Sequence, residues 1–81
     1  MPRKINGIRR ITDRRGEVLH WMARGKTNFE IACILGLSPL TLKNHVGQIL
    51  AVYDAPNRVC AVVRAIARGD ISRDELFREF A

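Results

Sequence analysis

A chain of 81 residues, 47% of them hydrophobic, has material for one small domain with one core and none left over for a buried catalytic cleft. No apolar run approaches the roughly 18 residues of a membrane span, and the basic start lacks the apolar stretch of a signal peptide, so a soluble, cytoplasmic protein is expected. The net charge of +6 resides in residues 1–26, where Arg3, Lys4, Arg9, Arg10, Arg14, Arg15, Arg24 and Lys26 face only Asp13 and Glu17. A basic end of this kind attracts polyanions, nucleic acid foremost, unless it is a solvated tail.

Residues 1–7 are expected to form a flexible basic arm, punctuated by Pro2 and Gly7 and too polar to pack. A first helix is expected from about Asp13 to Arg24, with Thr12 or Asp13 as cap. Val18, Leu19, Met22 and Trp21 face inward, and Gly25 stops the helix. Thr27 then opens a second helix through a capping box, its hydroxyl taking the Glu30 amide while the Glu30 carboxylate reaches back. Ile31, Ile34 and Leu35 fall on one face of that helix, Gly36 leaves it with positive φ, and Leu37 packs back.

Ser38 as N-cap and Pro39 at the first helical position restart the chain at once, making a helix-turn-helix at about residues 28–47. In this third helix Leu42, Val46, Ile49 and Tyr53 share one side, while Leu40, Asn44, Gly47, Gln48 and Ala51 share the other. Short amides with almost no bulk suit a surface that enters a groove better than one that sits in water, where Lys and Glu are expected. An ordinary two-helix corner of a small helical domain is the plainer alternative.

Pro56 ends the third helix and Asn57 caps a fourth, in which Val59, Val62, Val63 and Ile66 recur at helical spacing. That stripe buries against the core or against a second copy. Arg64 and Arg68 lie near the helix's negative end, and Gly69 stops it. Ser72 and Glu75 offer another capping box, opening a short fifth helix that carries Leu76, Phe77 and Phe80. The fold class is therefore all-α: a four-helix bundle with a helix-turn-helix and no wing, plus a short C-terminal helix. The division expected is an arm at 1–7, a DNA-binding domain at 8–72 and a helical extension at 73–81.

No phosphate loop, paired-carboxylate pocket, G-x-S-x-G or cysteine with plausible His and Asn partners is present, so an enzyme is not expected. Cys33 and Cys60 lack a metal-binding spacing and sit on apolar helix faces, so they read as buried free thiols, with no metal and no cofactor. His20 and His45 read as partly buried polar residues, with a phosphate contact as the functional option for His45.

Four blocks in order, I-T-D-R-R-G-E-V-L at 11–19, G-K-T-N-F-E-I-A at 25–32, L-G-L-S-P-L-T-L-K-N-H at 35–45 and N-R-V-C-A-V at 57–62, resemble the DNA-binding domain of LuxR-type (GerE-type) bacterial transcription regulators. The resemblance covers most of the chain. It implies a four-helix domain that binds double-stranded DNA in the bacterial cytoplasm, on the nucleoid, with its third helix in the major groove. It further implies a homodimer, formed in solution or only on DNA, through Val59, Val62, Val63 and Ile66, and contact with RNA polymerase or another regulator.

Base contacts implied by position are Lys43 and Asn44, with Gln48 at the far edge of the same face; positions near phosphates are Lys26, Thr27, Asn28, Ser38, Thr41 and His45. The chain also departs from the family. Arg15 replaces the usual Glu of the first capping box, Val52 replaces a usual Lys, and Gly47 removes a side chain from the reading face. Lys43 is left as the one formal charge of the recognition helix, which favours a rival reading: a protein-interaction module of the same fold that modulates a partner regulator and binds DNA weakly. A promoter-recognition domain of the sigma-factor kind has a similar helix-turn-helix, but the T-L-K-N-H block and its spacing to N-R-V argue against it.

Overall fold

The computed structural model describes residues 13–71, which contain four helices and no strand: α1 (Asp13–Ala23), α2 (Asn28–Leu35), α3 (Pro39–Val52) and α4 (Arg58–Ala67). The arm at 1–7, the cap position Thr12, and the fifth helix expected from Ser72 and Glu75 lie outside the described residues.

The starts of α2, α3 and α4 each have a local chemical cause. The α2 capping box is complete: the Glu30 amide donates to Thr27 Oγ1 at 3.1 Å and the Thr27 amide donates to Glu30 Oε1 at 2.8 Å. Two of the amide donors that every helix start leaves without a helical partner are thereby satisfied. Gly36 ends α2 at φ 68°, left-handed backbone that a Cβ disfavours, and this lets the Leu37 amide bond back to the Ala32 carbonyl at 2.9 Å. Ser38 takes the Thr41 amide at 3.1 Å with Pro39 in the first turn, and Asn57 Oδ1 takes the Cys60 amide at 2.9 Å to start α4. At the end of α3, Asp54 adopts φ 51°, a conformation its short polar side chain tolerates.

Replacing Thr27 with Ala is expected to cost about 1 kcal/mol of stability, read by urea denaturation, because the Glu30 amide loses its acceptor. The Thr27 backbone amide first, then the Thr27 hydroxyl, with Lys26 nearby, hold the Glu30 carboxyl below its ordinary value. A depressed carboxyl favours the folded state at neutral pH and loses that contribution as pH falls through and below the usual carboxylate range. Thr27→Ala keeps the backbone amide and loses only the hydroxyl's share of this effect, so the gap to the parent should narrow slightly in acid.

The core is one cluster assembled around α3, which touches all three other helices. Val18, Leu19 and Met22 of α1, Ile31 and Ala32 of α2, Leu42, Val46, Ile49 and Tyr53 of α3, and Ala61 and Ala65 of α4 are buried, with Trp21, Leu35 and Leu37 packed at its edge. The Tyr53 hydroxyl donates to Asp70 Oδ2 at 2.6 Å, which ties the chain beyond α4 to the end of α3.

Two expectations are corrected. Ile34 is 47% exposed, and Ala32 takes its place in the core, because α3 crosses α2 on the Ile31, Ala32 and Leu35 side. Cys33 is exposed and Cys60 half-buried, for Cys33 lies on the side of α2 opposite Ile31 and Leu35. Arg64 lies in the last turn of α4 and Arg68 caps it, as the sequence places them, and both guanidinium groups also reach the negative end of α3. Arg64 Nη1 donates to the carbonyls of Tyr53 (3.0 Å) and Asp54, and Arg68 Nη1 to that of Val52 (3.4 Å). The Arg68 guanidinium also lies 5.0 Å over the Tyr53 ring.

Candidate nucleic-acid interface

Burial of Leu42, Val46, Ile49 and Tyr53 leaves the opposite side of α3 in solvent. There Lys43, Asn44 and Gln48 are exposed, and none bonds to another described residue. Leu40 is 67% exposed on the same side. A Cβ built on Gly47 would meet nothing within 4 Å, so internal packing does not require glycine there; its effect is to flatten the outer surface. An exposed helix face bearing one cation, two amides and no ion pair among the described residues keeps its hydrogen-bonding capacity for a partner beyond them.

The starts of α2 and α3 carry the other polar candidates. Ser38 Oγ accepts from the Thr41 amide and donates to Thr41 Oγ1 at 2.9 Å, which leaves the Thr41 hydroxyl proton for an external acceptor. Thr27 is engaged in its capping box and exposed. Asn28 Oδ1 accepts from Arg58 Nη2, so its two amide protons face other partners, and the half-buried Lys26 gives its carbonyl to Arg58 Nη1 at 3.3 Å. His45 is half-buried with Nδ1 enclosed and without a partner, so a phosphate contact by this residue falls to Nε2. Arg58 thus draws Lys26 and Asn28 together and Ser38 is bonded to Thr41, but no hydrogen bond links either pair to Lys43, Asn44 or Gln48.

Arg58 is the residue that sequence reasoning missed. It fastens the start of α4 to the start of α2 across 30 residues of chain, a separation that helical periodicity cannot see.

On α4 the open question about the valine stripe has a mixed answer. Ala61 and Ala65 meet the core, Val62 and Ile66 are half-buried, and Val59 and Val63 are 68% and 58% exposed. Val59, Val62 and Val63 line an open groove of about 280 Å³ with Met22, Ala23 and Gly25 at the end of α1. Among the described residues no helix is long and apolar enough to cross a membrane, and no group of three His, Cys, Asp or Glu side chains could hold a metal ion.

Four helices, two of them a capped helix-turn-helix whose second helix carries an amide-bearing face unengaged by other described residues, define an all-α helix-turn-helix domain. Residues 9–65 match the family of bacterial regulatory proteins known as the luxR family, and the chain belongs to it. It is 48% identical over 59 residues to the transcriptional activator protein SolR of Ralstonia solanacearum. It is 39% identical over 59 residues to the transcriptional activator protein AhyR of Aeromonas hydrophila. With RpaR of Rhodopseudomonas palustris, an HTH-type quorum sensing-dependent transcriptional regulator, it shares 42% identity over 60 residues. These matches cover 73–74% of this chain but 23–25% of the relatives, so the chain spans about a quarter of the length of the curated relatives it matches. The family is one of regulators, not enzymes.

Proposed function

We propose that residues 8–72 are the output domain of a bacterial transcription regulator, acting in the cytoplasm on double-stranded DNA. In this reading α3 lies in the major groove with Lys43, Asn44 and Gln48 at base edges, while Lys26, Thr27, Asn28, Ser38, Thr41 and His45 meet phosphates. A second copy pairs through Val59, Val62, Val63 and Ile66, so that two half-sites are engaged about one DNA turn apart. The observation that carries the reading is the outer face of α3, exposed along its length, without an ion pair to any described residue, and bearing a lysine and two amides able to bond base edges. The similarity to SolR and AhyR, transcriptional activators both, supports a role in transcription activation.

The direct test is selection of bound fragments from random duplex DNA by the full chain. Enrichment of a two-fold symmetric sequence is expected; no enrichment together with capture of a partner regulator would install the interaction-module reading, which the single charge of α3 favours.

Salt adds a second measurement. Each neutralised phosphate contributes a slope of roughly 0.9 in log affinity against log salt, and with one lysine on α3 the total slope is expected to be modest. Removing residues 1–10, with four of the basic side chains, should lower affinity about equally for every duplex. Unchanged affinity and slope at low salt would mark those charges as inert.

A further inference from the structure

Leu40 is 67% exposed, and neither folding nor capping accounts for it. A leucine this close to a helix start often belongs to a hydrophobic clamp between the residue before the N-cap and the fourth helical residue. Here those positions are Leu37, packed on the core, and Leu42, fully buried. The N-cap duty belongs to Ser38 and Thr41. Leu40 shares the outer side of α3 with Asn44 at i+4, Gly47 at i+7 and Ala51 at i+11, a line that holds one amide and no charge. Side chains on a helix tilt toward its N-terminus, so Leu40 reaches ahead of Asn44 at the end by which a recognition helix approaches base edges.

In the major groove one base alone offers an apolar target of this size. Thymine carries a 5-methyl group, whereas the groove edges of guanine, cytosine and adenine are donors and acceptors. Leu40 therefore has no hydrogen bond to make and leaves donors and acceptors desolvated over any other base.

We propose that Leu40 is a specificity-determining residue that packs on the 5-methyl group of a thymine, so that each half-site combines an apolar contact from Leu40 with the polar contacts of Lys43 and Asn44. The assignment rests on α3 being the reading helix. Leu40 and Asn44 are one turn, about 6 Å, apart along the axis. With base pairs spaced by about 3.4 Å, the thymine lies one or two base pairs from the base that Asn44 reads.

The test uses the full chain and the duplex it selects, with each thymine replaced in turn by 2′-deoxyuridine, which deletes the methyl group and keeps the pairing. One position per half-site should weaken binding by about three- to fivefold, the effect of one buried methyl. Leu40→Ala should bind the parent duplex more weakly and become indifferent to deoxyuridine there, while Leu40→Met, still apolar and long enough, retains the sensitivity. Melting temperatures of both variants should match the parent, since the side chain is exposed.

A selected site without thymine near the Asn44 position, or equal binding of thymine and deoxyuridine duplexes by the parent chain, overturns the assignment of Leu40 even if Lys43 and Asn44 still set preferences. Equal loss by Leu40→Ala on both duplexes overturns it too, because the leucine then acts without the methyl. Failure of the parent chain to select any duplex overturns the reading of α3 itself, and Leu40 with it.

Discussion

Val63→Arg is expected to abolish cooperative binding to a duplex carrying two half-sites while leaving a folded, helical monomer that still binds one half-site. Val63 is 58% exposed and Val59, one turn before it, 68%, so a guanidinium here stays in water in the monomer and disturbs no core contact. The face meeting the core is made by Ala61 and Ala65, with Val62 packed beside them. In a two-fold interface the same patch comes from both copies, so the substitution brings two like charges into an apolar contact. Burying an uncompensated charge costs about 3–5 kcal/mol, which is more than a hundredfold in cooperativity.

Gel-shift titrations on one and two half-sites read the cooperativity, and circular dichroism reads the fold. Unfolding of the Val63→Arg chain would mean that the stripe is covered within one chain, and undiminished cooperativity would move the pairing surface off α4.

A second large effect is expected at the reading face. Asn44 can place its amide bidentate on an adenine edge, and Lys43 can donate to guanine O6 or N7, each contact contributing about 1–3 kcal/mol of discrimination. Asn44→Ala should therefore relax preference at one position per half-site by roughly five- to a hundredfold. Lys43→Ala should lose affinity as well as preference, because it removes the one formal charge of α3 along with a base contact. Gln48→Ala should have a smaller effect at the far edge.

All three side chains are exposed, and none bonds to another described residue, so melting temperatures should stay at the parent value. Binding-site selection repeated on each variant is the measurement. Unaltered preferences in both Lys43→Ala and Asn44→Ala would remove α3 as the reader and put the interaction module first.

Helices α2, α3 and α4 start where the local chemistry of the chain directs, and those features are legible in the amino-acid order alone. Thr27 with Glu30, Ser38 with Thr41, and Asn57 with Cys60 are hydrogen-bonded pairs three residues apart, and Gly25, Gly36 and Gly69 all adopt positive φ at helix ends. Such bonds lie within one turn, so residue type and spacing suffice to specify them. The two sides of α3 are equally legible, because a fourteen-residue helix repeats its pattern often enough to leave one solution.

Tertiary structure decided everything that depends on a neighbour distant in sequence. Eight residues of α2 allow more than one inward face, and the crossing of α3 chose Ala32 over Ile34 and left Cys33 in solvent. On α4, hydrophobicity pointed to the valines, but the core received Ala61 and Ala65, since small side chains let a helix approach closely. Arg58, Arg64 and Arg68 look like surface charges in the sequence. Their partners are carbonyls and an amide 10 to 32 residues away, which only the packing of α4 against the starts and ends of other helices brings within reach.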